Sequence, residues 1–231
     1  MHVHLPKVPH SWREFLKEYA IIVLGVLTAL ALEQMVESMH DRRLAREVQE
    51  AINQEMQADV DRTIYRVGQQ ACIEKRLDEI QALLAGWHGD EAFPAGPHIG
   101  FPGDVGLVSE RWQANLASGR FNEETPQEQS EQAGLYSLIK VIDSLQLKEI
   151  DEWAQLRALE FGSRSLSMAS KPMIANALAN ARADARSFKL LAALLVQSQA
   201  AQRAKSGPRS PFVPAQPGTA CDPMRQAGSR T

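Results

Sequence analysis

Cys72 and Cys221 are the only two cysteines of the chain, and their number limits the sulfur chemistry open to them. Two thiols cannot build a four-thiolate zinc site or a disulfide-dense scaffold. Two options are left: one disulfide, the default for a lone pair in an exported domain, or two unrelated thiols in a cytosolic protein. A bond between Cys72 on a helix and Cys221 in an extended tail would tie down a segment with little other reason to order. The chain-entropy model gives roughly 4–5 kcal/mol for so long a loop. The disulfide is the expectation.

The other residue types with chemical potential are less well placed. His2, His4 and His10 cluster near the start, but they flank two prolines and precede the first helix, whereas metal ligands converge from rigid elements. Solvated or headgroup-contacting histidines are expected. His40 beside Asp41, His88 and His98 lack ligand spacing. Carboxylates are numerous and expected on solvated helix faces, with no pair distinguishable as an acid/base couple. The sequence has no Gly-x-Ser-x-Gly, no P-loop, no His-Glu-x-x-His and no dinucleotide fingerprint. No catalytic residue, cofactor site or metal site is therefore assigned.

The 231 residues are 44% hydrophobic and 23% charged with a net charge of −3, which leaves no electrostatic footprint for nucleic acid. Aromatics are only 6%, while Ala, Leu, Glu, Gln and Arg dominate. These are helix formers, and they argue against an all-β or doubly wound fold. An all-α chain is expected: a transmembrane helix running into an antiparallel helical bundle, then a Pro-rich tail.

One apolar segment organises the chain. From Tyr19 to Leu32 there is no charge, and every helical face is apolar. Fourteen residues at 1.5 Å each cover only about 21 Å of a hydrocarbon core of about 30 Å. Apolar flanks and the snorkelling Lys17 extend the span to Phe15–Val36, edged by Glu18 and Glu33. The lipid-facing residues are Phe15, Tyr19, Ile21, Ile22, Val23, Leu24, Gly25, Val26, Leu27, Ala29, Leu30, Leu32 and Val36. Trp12, Lys17 and Tyr19 are the interfacial anchors. The large aliphatics from Ile21 to Leu32 favour insertion by roughly 2–5 kcal/mol. A soluble core helix would pass a similar test, and Ala29-Leu30-Ala31 resembles a signal-peptidase site. Against cleavage stand Glu14 and Glu18 in what would be a positive n-region, and an apolar pattern that continues past the cut.

Ser11-Trp-Arg-Glu14 reads as a capping box that starts this helix. Gly25 and Ala29 form a small-xxx-small pair that would allow a homodimer, although lipid-facing small residues fit equally well. Lys7, Arg13 and Lys17 before the span balance Arg42, Arg43 and Arg46 after it, so the positive-inside rule gives no orientation. The short tail and the cysteines favour a signal anchor in a bacterial inner membrane, with the N-terminus cytoplasmic and the remainder periplasmic.

The chain thus divides into a start at 1–14, a span at 15–36, a helical domain at 37–205 and a tail at 206–231. Leu44, Val48, Ile52, Met56, Val60, Ile64 and Val67 predict one amphipathic face that ends at Gly68. Ile73, Leu77, Ile80 and Leu84 predict a second helix ending at Gly86. Glycines and prolines make 86–106 a loop, either functional or mobile. A short helix is expected near 108–117. Thr125-Pro-Gln-Glu128 is a strong start signal for the next, buried through Leu135, Leu138, Ile142, Leu145, Ile150, Trp153 and Leu156. In the last helix Ile174, Leu178, Ala181, Ala185, Phe188, Ala192 and Leu195 take a/d spacing, read as packing within its own bundle ahead of coiled-coil oligomerisation. The tail's prolines predict extended chain.

The opening from His4 to Lys7 and Trp12 to Phe15, with Val23-Leu-Gly-Val-Leu-Thr-Ala-Leu30, resembles a family of bacterial single-pass membrane proteins. Cys72 with Arg76-Leu-Asp-Glu-Ile80, Trp112 with Ala117-Ser-Gly119, and Glu152-Trp153 extend the likeness over most of the chain. It implies one N-terminal transmembrane helix and a helical extramembrane domain, and carries no activity. The function expected is a membrane-anchored binding or interaction module of the envelope, with the lipid bilayer and a membrane or envelope protein as partners. The alternatives are an enzyme on an envelope substrate with loop 86–106 as a lid, or a soluble helical protein.

Overall fold

The structure, a computed structural model, describes residues 12–88, 93, 96–118, 125–164, 166–203 and 218–224, with backbone alone at 163, 164 and 199–203. Ser11, the histidines at 2, 4 and 10, and most of the Pro-rich tail lie outside the described residues. The chain falls into two compact units, Met1–Gln49 and Glu50–Thr231. The protein is all-α: five α-helices and no strand among the described residues.

Helix α1 is Trp12–Gly68, and its residues up to 49 make up the described part of the first unit. In the second unit, the rest of α1 is followed by α2 (Gln70–Gly86), α3 (Glu110–Ser118), α4 (Pro126–Leu156) and α5 (Lys171–Arg203). Short 3-10 stretches, Arg157–Arg164 and Met168–Ser170, connect α4 to α5.

The punctuation works as its chemistry requires. Helix α1 ends at Gly68 and α2 at Gly86, where glycine weakens continuation. At the start of α4 the Glu128 amide donates to Thr125 Oγ1 at 3.3 Å, and the Thr125 amide donates to Glu128 Oε2 at 2.9 Å. Two N-terminal donors are thereby satisfied reciprocally, and Pro126 brings none of its own.

Helices α4 and α5 make the closest pair, with α2 packed on α5. All seven a/d residues of α5 are buried inside the domain, and Ala177, Ala181, Ala185 and Ala192 admit the close approach. One core cluster joins Ile73, Leu77 and Ile80 of α2 to Trp153 and Leu156 of α4 and to Ile174 and Leu178 of α5.

Two expected stripes turn out differently. On α1, Ile64 is exposed, and the buried positions between Ile52 and Arg66 include Glu55, Asp59 and Thr63. On α4, Ile150 is exposed while Gln146 and Glu149 are buried; Leu138 and Leu145 are half-buried. Both helices have turned polar positions inward. The reason is that partners with matching hydrogen-bonding groups lie across from them.

Candidate functional site

The residues expected to span a membrane keep their side chains open on every face. Ile21 is 70% and Leu24 63% exposed, and Phe15, Tyr19, Ile22, Val26, Leu27, Leu30, Leu32 and Val36 are exposed as well. Gly25 and Ala29 are exposed, and Val23 is half-buried. No described part of the protein sheathes the segment, which is long and apolar enough to cross a membrane. A core helix of a soluble protein would have buried these aliphatics. Trp12 stacks on Phe15 with ring centroids 5.6 Å apart, and Phe15 on Tyr19 at 6.3 Å, so the aromatics form a ladder at one end of the span. Trp and Tyr, its two outer rings, are the aromatic types enriched at headgroup depth. Lys17 lies in the same turns and is exposed.

Cys72 and Cys221 are joined in a disulfide with Cα atoms 5.0 Å apart. The bond pins residues 218–224 against the second unit, where Ala220 enters the core. The Thr219 and Ala220 amides both donate to the Phe101 carbonyl at 2.9 Å, and the Phe101 amide donates to Thr219 Oγ1 at 3.2 Å. Two glycines make this possible. Gly100 has φ +70°, and a Cβ at Gly218 would run into the Gly103 backbone. Buried Arg76 reaches across from α2, donating to the carbonyls of His98, Ile99 and Asp222. From the other side Glu160 Oε1 accepts from the Ile99 amide at 2.8 Å and the Gly100 amide at 3.0 Å, with His98 Nδ1 3.2 Å away. Residues 98–103 of the Gly/Pro-rich loop are thus held from three directions.

Carboxylates expected on solvated faces form part of the interior. Glu55 Oε2 accepts from the Arg111 amide at 2.9 Å, and Oε1 from the Trp112 amide at 3.3 Å and the Tyr136 hydroxyl at 2.9 Å. A side chain of α1 therefore caps the first turn of α3. Trp112 stacks on Tyr136 at 4.9 Å. One helical turn along α1, Asp59 Oδ1 accepts from the Val108 amide at 3.2 Å and from Arg62 at 2.8 Å. Burial pushes the Asp59 carboxyl up to about 6 against these two lowering partners, with Glu55 adding to the rise. Burial, with the Glu55 carboxylate as acceptor, also holds the Tyr136 hydroxyl well above its ordinary range. Further along, Arg66 pairs with Glu149 and lies 4.7 Å from the Phe188 ring centroid.

Next to this polar stripe, a cleft of about 310 Å3 opens between residues 101–104 and α4. Its walls are Phe101, Pro102, Gly103, Asp104, Gln146, Glu149, Ile150, Trp153, Ala154 and Arg157. Gln146 Oε1 accepts from the Val105 amide at 3.3 Å, while its buried Nε2 has no hydrogen-bond partner among the described residues. The indole Nε1 of buried Trp153 is in the same condition. Of its charged groups, Glu149 accepts from Arg66, Asp104 Oδ1 accepts from the Gly106 amide, and Arg157 lies 3.5 Å from Glu160 and 5.8 Å from the Phe101 ring centroid, its Nε without a hydrogen-bond partner among the described residues.

The structure thus brings together the two cysteines. Sequence reading missed Gln146, Trp153 and Arg157 because each sits in an ordinary helical pattern. No group of residues with metal-binding arrangement occurs among the described residues. No protein-family model, no curated protein and no solved structure matches the chain.

Proposed function

We propose that the protein is a membrane-anchored binding module of the bacterial envelope: α1 residues 15–36 in the lipid of the inner membrane, the N-terminus cytoplasmic, and the disulfide-tied helical domain periplasmic. The observation that carries this reading is the bare apolar surface around Ile21–Leu32, which water would not tolerate and lipid would. The Cys72–Cys221 bond supports the oxidising side, because such bonds persist in the periplasm and are rare in the cytosol. Binding is favoured over catalysis by the cleft. Its walls are largely apolar, and the Glu149 carboxylate among them is held by Arg66 through both oxygens. Envelope protein partners, and a second copy meeting the first at Gly25 and Ala29, belong to the same reading.

Membrane fractionation with an alkaline wash tests the anchor. Retention in the pellet is expected, loss of retention in a Leu24→Arg, Leu27→Arg variant agrees with it, and release of the native chain into the supernatant overturns it. A reporter fused after Thr231 that is active only outside the cytoplasm tests the orientation. A silent fusion, with activity instead from a second reporter that works only in the cytoplasm, reverses it.

A further inference from the structure

We infer that residues 107–118 form a flap, hinged at Gly106, that lies closed on α1 while the Asp59 carboxyl holds a proton and works loose as that carboxyl ionises. The inference concerns the second unit alone and holds whether or not residues 15–36 meet lipid.

The flap is built to open by itself. Its helix, α3, has nine residues, fewer than stand alone in water, and it lies outside the close pairs α4–α5 and α2–α5. A row of contacts along α1 seats it. The Val108 amide donates to Asp59 Oδ1 at 3.2 Å, the Arg111 and Trp112 amides to Glu55 at 2.9 and 3.3 Å, and the Arg111 guanidinium to the Ala51 carbonyl at 3.1 Å. Leu107, Trp112 and Asn115 are its buried side chains. Immediately before it the chain is fixed, with the Val105 amide on Gln146. Between the two, Gly106 has φ +55° and open space where a Cβ would stand, so it can absorb a change in direction. Elements with few such ties open ahead of the domain as a whole.

Asp59 is the weak point of the seat. It is 0% exposed, and its Oδ2 has no hydrogen-bond partner among the described residues. Only Oδ1 is served, by the Val108 amide and by Arg62 at 2.8 Å. With the proton on, the closed flap covers a neutral group. With the proton off, it covers a charge with one oxygen bare, a far larger loss of solvation. The neighbouring groups do not cancel that charge. Arg62 is partly exposed, and Glu55, one turn earlier on α1, adds a second negative charge. Tyr136 from α4 gives its hydroxyl to Glu55, Arg111 from α3 reaches the Ala51 carbonyl, and Asp104 in the preceding loop accepts from the Gly106 amide. Burial outweighs the Val108 amide and Arg62, and the carboxyl is raised from 3.8 to about 6. Swinging the flap away at Gly106 brings Oδ2 to water. Ionisation therefore favours the open form, and rising pH is the direction of release.

Hydrogen exchange read by mass spectrometry tests this on the full chain in nanodiscs, between pH 4.5 and 7.5, with intrinsic exchange rates divided out. A carboxyl near 6 when closed and 3.8 when open shifts the opening equilibrium on the order of a hundredfold in full, about twentyfold of it inside this window. Protection at 107–112 should fall by that factor. It should also lie well below that of α5 and barely change in about 1 M urea, because a flap exposes little surface. Asp59→Asn should keep protection at pH 7.5 within about twofold of its pH 4.5 value. Arg62→Met lets the closed carboxyl hold its proton longer, so the fall should continue to higher pH before it levels off. A purely structural role for Arg62 would instead lower protection equally at every pH, and that outcome overturns the inference even where Asp59→Asn does not fold. Protection at 107–112 that is independent of pH in the native chain overturns it as well, as does exchange there in step with α5, or an Asp59→Asn variant with the native pH profile.

Discussion

Arg66 Nη2 donates to both carboxylate oxygens of Glu149 at 2.7 Å, and the two side chains are 0% and 5% exposed. The pair bridges α1 and α4 where an apolar contact was expected. Taking two charges out of water is costly, and their attraction offsets the loss only while both are present. Glu149→Ala leaves a guanidinium buried opposite nothing and should cost about 3–5 kcal/mol in chemical denaturation. Replacing the pair together, Arg66→Met with Glu149→Leu, should recover most of that loss. A double variant as unstable as the single one would refute the account.

Asp59 makes the domain respond to pH. Its carboxyl is raised from 3.8 to about 6, mainly by burial. Between those values the folded state holds a proton that the unfolded state has released. Its contribution is therefore full below about pH 4 and lost as pH rises through about 6, on the order of 3 kcal/mol in all. Asp59→Asn keeps an oxygen for the Val108 amide and removes the titration. Unfolding free energies measured at pH 4.5 and 7.5 should show the variant gaining on the native chain at the higher pH. A constant difference between them would contradict the burial of this group.

Glu55 positions α3 from a neighbouring helix. Glu55→Ala removes the acceptor shared by the Arg111 and Trp112 amides and the Tyr136 hydroxyl, of which the hydroxyl keeps the Ile52 carbonyl at 3.4 Å, and should cost about 2–3 kcal/mol. Glu55→Gln retains an acceptor and should cost less than half as much. Hydrogen exchange should speed up at residues 111–112 well before it does in α5. Uniform acceleration across the domain would mean that the contact does not act locally.

The disulfide predicts two kinds of observation. Unreduced protein should expose no free thiol to labelling, and Cys72→Ser with Cys221→Ser should lower stability by up to about 4–5 kcal/mol. Limited proteolysis should then cut first within 218–224, the segment the bond secures. Two reactive thiols in freshly isolated protein would rule out the bond.

The sequence revealed most where local chemistry decides the outcome. Gly68 and Gly86 end helices, Thr125 and Glu128 start one, and the a/d residues of α5 are buried, because each signal lies within a few residues of its effect. The inward turn of Glu55, Asp59 and Glu149 was not legible. Their partners are backbone amides 49 to 57 residues away and an arginine 83 residues away, and nothing near a carboxylate in sequence announces them. The cleft was hidden for the same reason. Gln146 and Trp153 matter through a loop wall that is shaped from residue 219. The cysteine pairing could be foreseen because only one partner existed.

The clasp at 218–224 also bears on the order in which this domain can mature. A ribosome delivers Cys72 and Arg76 early and Thr219 to Asp222 only after α1 to α5 have emerged. Until then Phe101–Gly103 lack their support and Arg76 has one carbonyl fewer to hold. The cleft wall therefore sets only after α1 to α5 have been made. A stalled or shortened chain would present a nearly complete bundle whose cleft wall has not yet formed.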